Sequence, residues 1–151
     1  MGRKADLAKD LFLQGYNCAQ AVFGAFCEDF GIERSTGFVL SSGFGGGISR
    51  RREVCGAVSG AVMVLSLKYG YSDAKADDAK KALYAKVRGV LENIEAETGS
   101  IICRELLGLD EKVSTPVPEK RTAKYYAKRP CAELVYICAK AVEEHLENIA
   151  D

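Results

Sequence analysis

The residue pattern predicts an all-α chain, a compact bundle of about six or seven helices, several of them short. Apolar residues recur every three or four positions, and no stretch sustains the two-residue alternation of a strand. Gly, Asn and Pro fall where helices should begin and end.

Residues 3–13 read as a first amphipathic helix with Leu7, Leu11 and Phe12 on one side, stopped by Gly15. Asn17 suits the N-cap of a second helix over residues 18–30, with Gly31 as its C′ residue. That helix should bury Val22, Phe23 and Phe26. A short third helix is expected over residues 36–41, capped by Ser35. The run Gly43-Phe44-Gly45-Gly46-Gly47 should be irregular, since so many glycines disfavour any regular element.

Residues 54–69 predict a central apolar helix whose Gly56, Ala57, Gly60 and Ala61 let another backbone come close, ended by Gly70. The longest helix is expected over residues 73–98, with Leu83, Val87, Val90, Leu91 and Ile94 as its stripe and Gly99 as its stop. Ser100 then caps a short helix over residues 101–107, ended by Gly108. Residues 109–118, with two of the three prolines, read as a surface connection, and residues 120–126 as a brief helical turn. Pro130 suits the first position of a terminal helix running to residue 148.

A length of 151 residues fits one domain, and no internal repeat or low-complexity tract divides it. Lys plus Arg and Asp plus Glu each number 21, which removes the excess basic charge that binding nucleic acid or an anionic membrane surface requires. The N-terminal MGRKADLAKD is polar from the start, and Asp6 stands where a myristoylation signal needs Ser or Thr. The longest apolar run, residues 55–67, falls short of the roughly 20 residues of a membrane span. No membrane insertion is expected, and the chain reads as soluble and cytoplasmic.

Six cysteines accompany a single histidine. In a reducing compartment such cysteines more often bind metal or do chemistry than pair in disulfides. Cys18 follows the cap Asn17, Cys55 opens the apolar helix, Cys103 lies three residues after Ser100, and Cys131 follows Pro130. All four therefore fall in the first turn of an expected helix. Free N–H donors and the positive end of the helix dipole there stabilise a thiolate. Cys27 and Cys138 lie further along their helices and read as small buried hydrophobes, although Cys138 is two turns from Cys131 on one face. There is no CxxC pair, so distant segments would have to assemble any shared site.

Cys55-Gly56-Ala57-Val58-Ser59-Gly60 matches CGAxxG. GYNCAQAV around Cys18, GFGGGISRRREVCGA up to Cys55, SIICRELLG around Cys103 and RPCAEL around Cys131 complete five ordered blocks over nearly the whole chain. The sequence thereby resembles the C_GCAxxG_C_C family, whose members are described as redox-active proteins with four characteristic cysteines. Those four map onto Cys18, Cys55, Cys103 and Cys131; the GCA of the label corresponds here to Cys-Gly-Ala. A related domain in split-Soret cytochromes is associated with an iron–sulfur cluster. This chain has no CxxCH haem attachment motif, so only the cluster carries over.

Three functions follow as expectations. The first is an iron–sulfur cluster, of [2Fe–2S] type, held by Cys18, Cys55, Cys103 and Cys131 for electron transfer or sensing. The second is cofactor-free thiol–disulfide chemistry at the same residues, with Cys55 as attacking thiolate because Arg50, Arg51 and Arg52 precede it. The third is a structural four-cysteine zinc site. An oxidoreductase or electron carrier would need a redox partner protein, and a homodimer is the expected assembly.

Other features carry less. The glycine run lacks the Gly-Lys-Ser/Thr ending of a phosphate cradle and reads instead as a close approach of backbone to the cysteine site. Arg50 to Arg52 read as a solvated charge run before an anion site. Tyr125 and Tyr126 read as core before site cover, and His145 as an exposed surface histidine. One histidine leaves no Ser-His triad for Ser59.

Overall fold

The computed structural model of the chain describes residues 2–108 and 115–148. Among these residues all regular structure is helical, apart from one isolated antiparallel bridge between Val54 and Ile102. The right-handed α-helices are α1 (Arg3–Leu13), α2 (Cys18–Phe26), α3 (Arg34–Ser41), α4 (Gly56–Tyr69), α5 (Asp77–Thr98), α6 (Cys103–Leu106), α7 (Ala123–Lys128) and α8 (Cys131–Asn148).

Local chemistry sets most boundaries. Asn17 caps α2 through a complete capping box: its side chain accepts from the Gln20 N–H at 2.9 Å, and Gln20 accepts from the Asn17 N–H at 3.1 Å. The expected second helix tightens into a 3₁₀ turn over Cys27–Phe30 before Gly31 ends it at a φ of 81°. The third helix starts at Arg34, two residues early, with Glu33 rather than Ser35 at its cap position. Asp73 accepts from the Lys75 N–H to form a turn, so α5 begins at Asp77 and not at residue 73. Ser100 likewise accepts from the Ile102 N–H, and α6 begins only at Cys103. The expected turn near residue 120 lies slightly later, as α7, capped by Thr122. Of the connection over residues 109–118, residues 109–114 lie outside the described residues.

α2 and α4 pack side by side at the centre, with α1, α3 and α8 around α2 and with α5 and α8 around α4. The small residues of α4 explain the closeness. A methyl group at Gly60 would meet Ala19 O at 2.9 Å and Val22 Cβ at 3.0 Å; one at Gly56 would meet Cys18 Cβ at 3.2 Å. Phe12, Phe23, Phe26, Leu65 and Ile94 fill the core. No helix among the described residues is long and apolar enough to cross a membrane.

One carboxylate ties the first helix to the last. Glu143 of α8 is buried and accepts from the N–H groups of Gly2 at 3.2 Å, Lys4 at 3.2 Å and Ala5 at 3.3 Å. These are the donors that a helix start leaves unpaired, and α1 has no cap of its own. Glu143→Gln removes one acceptor oxygen and the charge, leaving a buried donor unmatched. Stability should fall by about 2 kcal/mol. Urea unfolding should show this as a lower midpoint at unchanged slope.

Candidate functional site

Four cysteines sit at helix starts, as the sequence predicts. Cys18, Cys103 and Cys131 are the first residues of α2, α6 and α8, while Cys55 occupies the N-cap of α4, one residue outside it. All four line one cavity of about 400 Å³. The backbone explains how residues so far apart in sequence meet. Residues 52–55 run antiparallel to residues 101–104: Cys55 N–H donates to Ile101 O at 2.8 Å and Cys103 N–H to Glu53 O at 2.6 Å. That pairing brings Cys55 and Cys103 onto adjoining chains. Packing of α2 on α8 brings Cys18 to Cys131, close enough for each thiol to change the other's acidity.

The glycine segment forms the floor, and it is not irregular. After a 3₁₀ turn over Ser42–Phe44, Gly46, Gly47, Ile48, Ser49 and Arg50 all have φ between 50° and 69°, a left-handed turn. Such a conformation costs a non-glycine residue roughly 1–2 kcal/mol. It persists because the surroundings hold it: Arg52 N–H donates to Gly46 O at 3.1 Å and Glu53 N–H to Gly47 O at 2.9 Å. The expected close approach is present. A methyl group on Gly47 would meet Cys103 Cβ at 2.7 Å, and one on Gly45 would meet the Asn17 side chain at 2.5 Å.

The arginines are placed against expectation. Arg51 is exposed, but Arg52 is buried, with φ 62° and its Nη1 3.7 Å from Cys103 Sγ. Arg50 reaches across the mouth to Thr115 O at 3.0 Å and to Glu119 at 3.5 Å. Arg129 also pairs with Glu119. Arg121 donates to Phe12 O and Tyr16 O, both at 2.9 Å, satisfying carbonyls at the end of α1 while its guanidinium lies 4.2 Å from the Phe12 ring centroid. Arg50, Arg52, Arg121 and Arg129 all line the cavity; nothing in the local sequence singles out the last two.

The thiols differ in acidity. A hydrogen bond to Cys131 pushes the Cys18 thiol well up, aided by burial. Burial pushes Cys55 up to about 12, against the Val58 and Ala57 N–H groups that pull it down. Cys103 also rises through burial, opposed by Arg52. Cys131 alone falls, because Cys18 donates to it and Arg129, Arg121 and Arg52 add positive potential that outweighs burial. Burial thus opposes the Cys55 thiolate that the upstream arginines suggest, and Arg52 turns to Cys103 instead.

Cys27 and Cys138 are fully buried and lie outside the cavity lining, as expected of small hydrophobes. Tyr125 does line the cavity, and burial pushes its phenol up to about 12; Tyr126 packs edge-on against Phe12. His145 is half-buried rather than exposed, 3.0 Å from the Tyr69 hydroxyl. Among the described residues no group of three or more Cys, His, Asp or Glu is close enough to hold a single metal ion.

No curated protein and no solved structure matched the chain in comparisons with known proteins. A family did match, over residues 16–145, and its description reads "Putative redox-active protein (C_GCAxxG_C_C)". That span contains all four cavity cysteines together with the left-handed segment and the arginines around them. The chain belongs to the C_GCAxxG_C_C family.

Proposed function

We propose that Cys18, Cys55, Cys103 and Cys131 hold an iron–sulfur cluster of the [2Fe–2S] type and that the protein transfers electrons through it or senses oxidants with it. One observation carries this reading: four thiols from four separate helix starts line a single cavity whose walls include four guanidinium groups.

The donor set suits the group. Thiolates are the usual ligands of iron–sulfur centres, and a two-iron core takes two from each side. The pairing of Cys18 with Cys131, and of the chains that carry Cys55 and Cys103, suits such a core better than one tetrahedral zinc ion. When bound, a cluster of this kind accepts and releases single electrons. The chain's own part is electrostatic: ligation requires deprotonated thiols, and the arginines offset the negative charge that accumulates. N–H groups of Ala57 and Val58 at the start of α4 point toward the Cys55 sulfur, which favours the reduced state. A redox partner needs a surface near the site. Exposed Val39, Leu40, Phe44 and Ile48 offer an apolar one beside the left-handed turn, and the same patch would serve in a homodimer.

The test is anaerobic purification followed at once by an absorption spectrum with iron, sulfide and zinc analysis. A brown protein with visible charge-transfer bands and equal iron and sulfide is expected. A colourless, iron-free protein, unable to take up iron and sulfide anaerobically, overturns the reading.

The Cys18–Cys131 contact favours a second reading, thiol–disulfide exchange. Cys131 Sγ would attack a partner's disulfide, releasing one partner thiolate. Cys18 would then attack the mixed disulfide, releasing the second and leaving Cys18–Cys131 oxidised. A Cys18–Cys131 disulfide in iron-free protein, found by peptide mass mapping, would support it.

A further inference from the structure

We propose that the cavity lined by the four cysteines binds a small organic anion, a carboxylate or comparable oxyanion on an apolar body, with Arg52 as its anchor. The binding requires neither a cluster nor a disulfide.

A cavity of about 400 Å³ falls within the roughly 300–1,000 Å³ of small-molecule sites, more than closing thiols around one ion would leave. Its walls are of two kinds. Phe12, Leu106, Leu107 and Leu134 are apolar, and among the described residues the charged groups are four arginines and the carboxylate of Glu119.

Three of those arginines have evident structural duties. Arg50 and Arg129 meet Glu119, and Arg121 binds the carbonyls that follow α1. Arg52 is different. It is 7% exposed, its Nη1 touches Cys103 Sγ, and its Nε has no hydrogen-bond partner among the described residues. A buried charged donor left unpaired carries a desolvation penalty that the fold would shed unless something else supplies the acceptor. A guanidinium presents its N–H groups in a planar fork that matches the two oxygens of a carboxylate. The anchor is also held in advance. The left-handed turn and the backbone pairing of residue 52 with residue 104 fix the position from which the side chain enters the cavity. An anion bound there would lie beside Cys103 and within the field of Arg121 and Arg129, while its apolar part would cover the leucines.

The test is calorimetric titration of the purified chain with benzoate, benzamide and acetate. Benzoate should bind at millimolar or lower concentration. Benzamide lacks the charge and acetate lacks the apolar body, so each should bind at least tenfold more weakly. Arg52→Gln should lose at least tenfold in benzoate affinity, and Arg52→Lys should recover part of it. Amide NMR of the unaltered chain provides a check that does not rely on a variant folding: benzoate should shift Gly46, Gly47 and Cys103 in one saturable process. Equal binding of benzoate and benzamide, no binding of benzoate, or shifts confined to other surfaces would overturn the proposal. A chain that binds benzoate but never takes up iron keeps this site and ends the cluster reading; the opposite result ends this site alone.

Discussion

Cys18→Ser, Cys55→Ser, Cys103→Ser and Cys131→Ser should each abolish the visible absorption of anaerobically isolated protein, whereas Cys27→Ser and Cys138→Ser should leave it largely intact. The difference follows from position. The first four sulfurs line one cavity, and a serine hydroxyl there is a far poorer ligand for a soft iron–sulfur centre than a thiolate. Removing one also leaves the arginine field facing one fewer anion. Cys27 is sealed between α2 and α3, close against Gly37 and outside the cavity lining, so a serine there removes no cavity thiol. Cys138 lies in the core of α8, and a serine there should cost about 1–3 kcal/mol in stability but no ligand. Thermal unfolding measured beside the spectrum separates the two effects. Equal loss of absorption across all six variants would refute this division of roles.

The second large effect is expected at Gly60, which carries no chemistry. Inside a helix, replacing Gly usually gains roughly 1 kcal/mol of helix propensity. Here any side chain meets Ala19 O at 2.9 Å and Val22 Cβ at 3.0 Å, atoms of a backbone and a packed core residue that cannot swing away. Gly60→Val therefore forces α2 and α4 apart at a cost of about 3 kcal/mol, and the clash outweighs the propensity. For a chain of this length the midpoint should fall by roughly 10 °C. Because α2 carries Cys18 and Cys55 caps α4, the same displacement should also weaken cofactor retention. Gly89 of α5 is the control: a methyl group there meets nothing within 4 Å, so Gly89→Ala should stabilise. A Gly60→Val protein as stable as its parent would show that α2 and α4 accommodate a side chain between them.

What could be read from residues alone was local. The Asn17 cap and the Gly31 and Gly99 stops depend on side chains within four positions, and each lies where the pattern put it, while Pro130 flanks the terminal helix one residue before its first position. The small-residue face of α4 was legible too, because closeness between helices requires missing side chains on a periodic face. The placement of the cysteines at helix starts followed from the same signals. Their surroundings did not. The antiparallel pairing of residues 52–55 with residues 101–104 joins segments almost fifty positions apart, and no local pattern announces it. Without that pairing, Arg50 to Arg52 look like three equivalent exposed charges, although one is buried, one reaches across the cavity mouth and one faces solvent. The burial that raises Cys55 is invisible for the same reason. Neighbours in sequence are not neighbours in space: the cations that lower Cys131 are adjacent Arg129 together with distant Arg121 and Arg52. Glycines such as Gly46 and Gly47 permit a left-handed turn, but that Ile48, Ser49 and Arg50 continue it depends on contacts made only in the folded chain.

The contribution of Cys131 by the last helix has a consequence for biosynthesis. During translation the segment bearing Cys18, Cys55 and Cys103 emerges first, and its thiols have no fourth companion until α8 is made. The Glu143 carboxylate that completes the start of α1 arrives later still. A nascent chain thus lacks both the fourth cavity cysteine and the clasp between α1 and α8. The four-cysteine cavity is complete only once α8 has been made. Packing of α8 on α1 and α2 is what brings Cys131 to the other three.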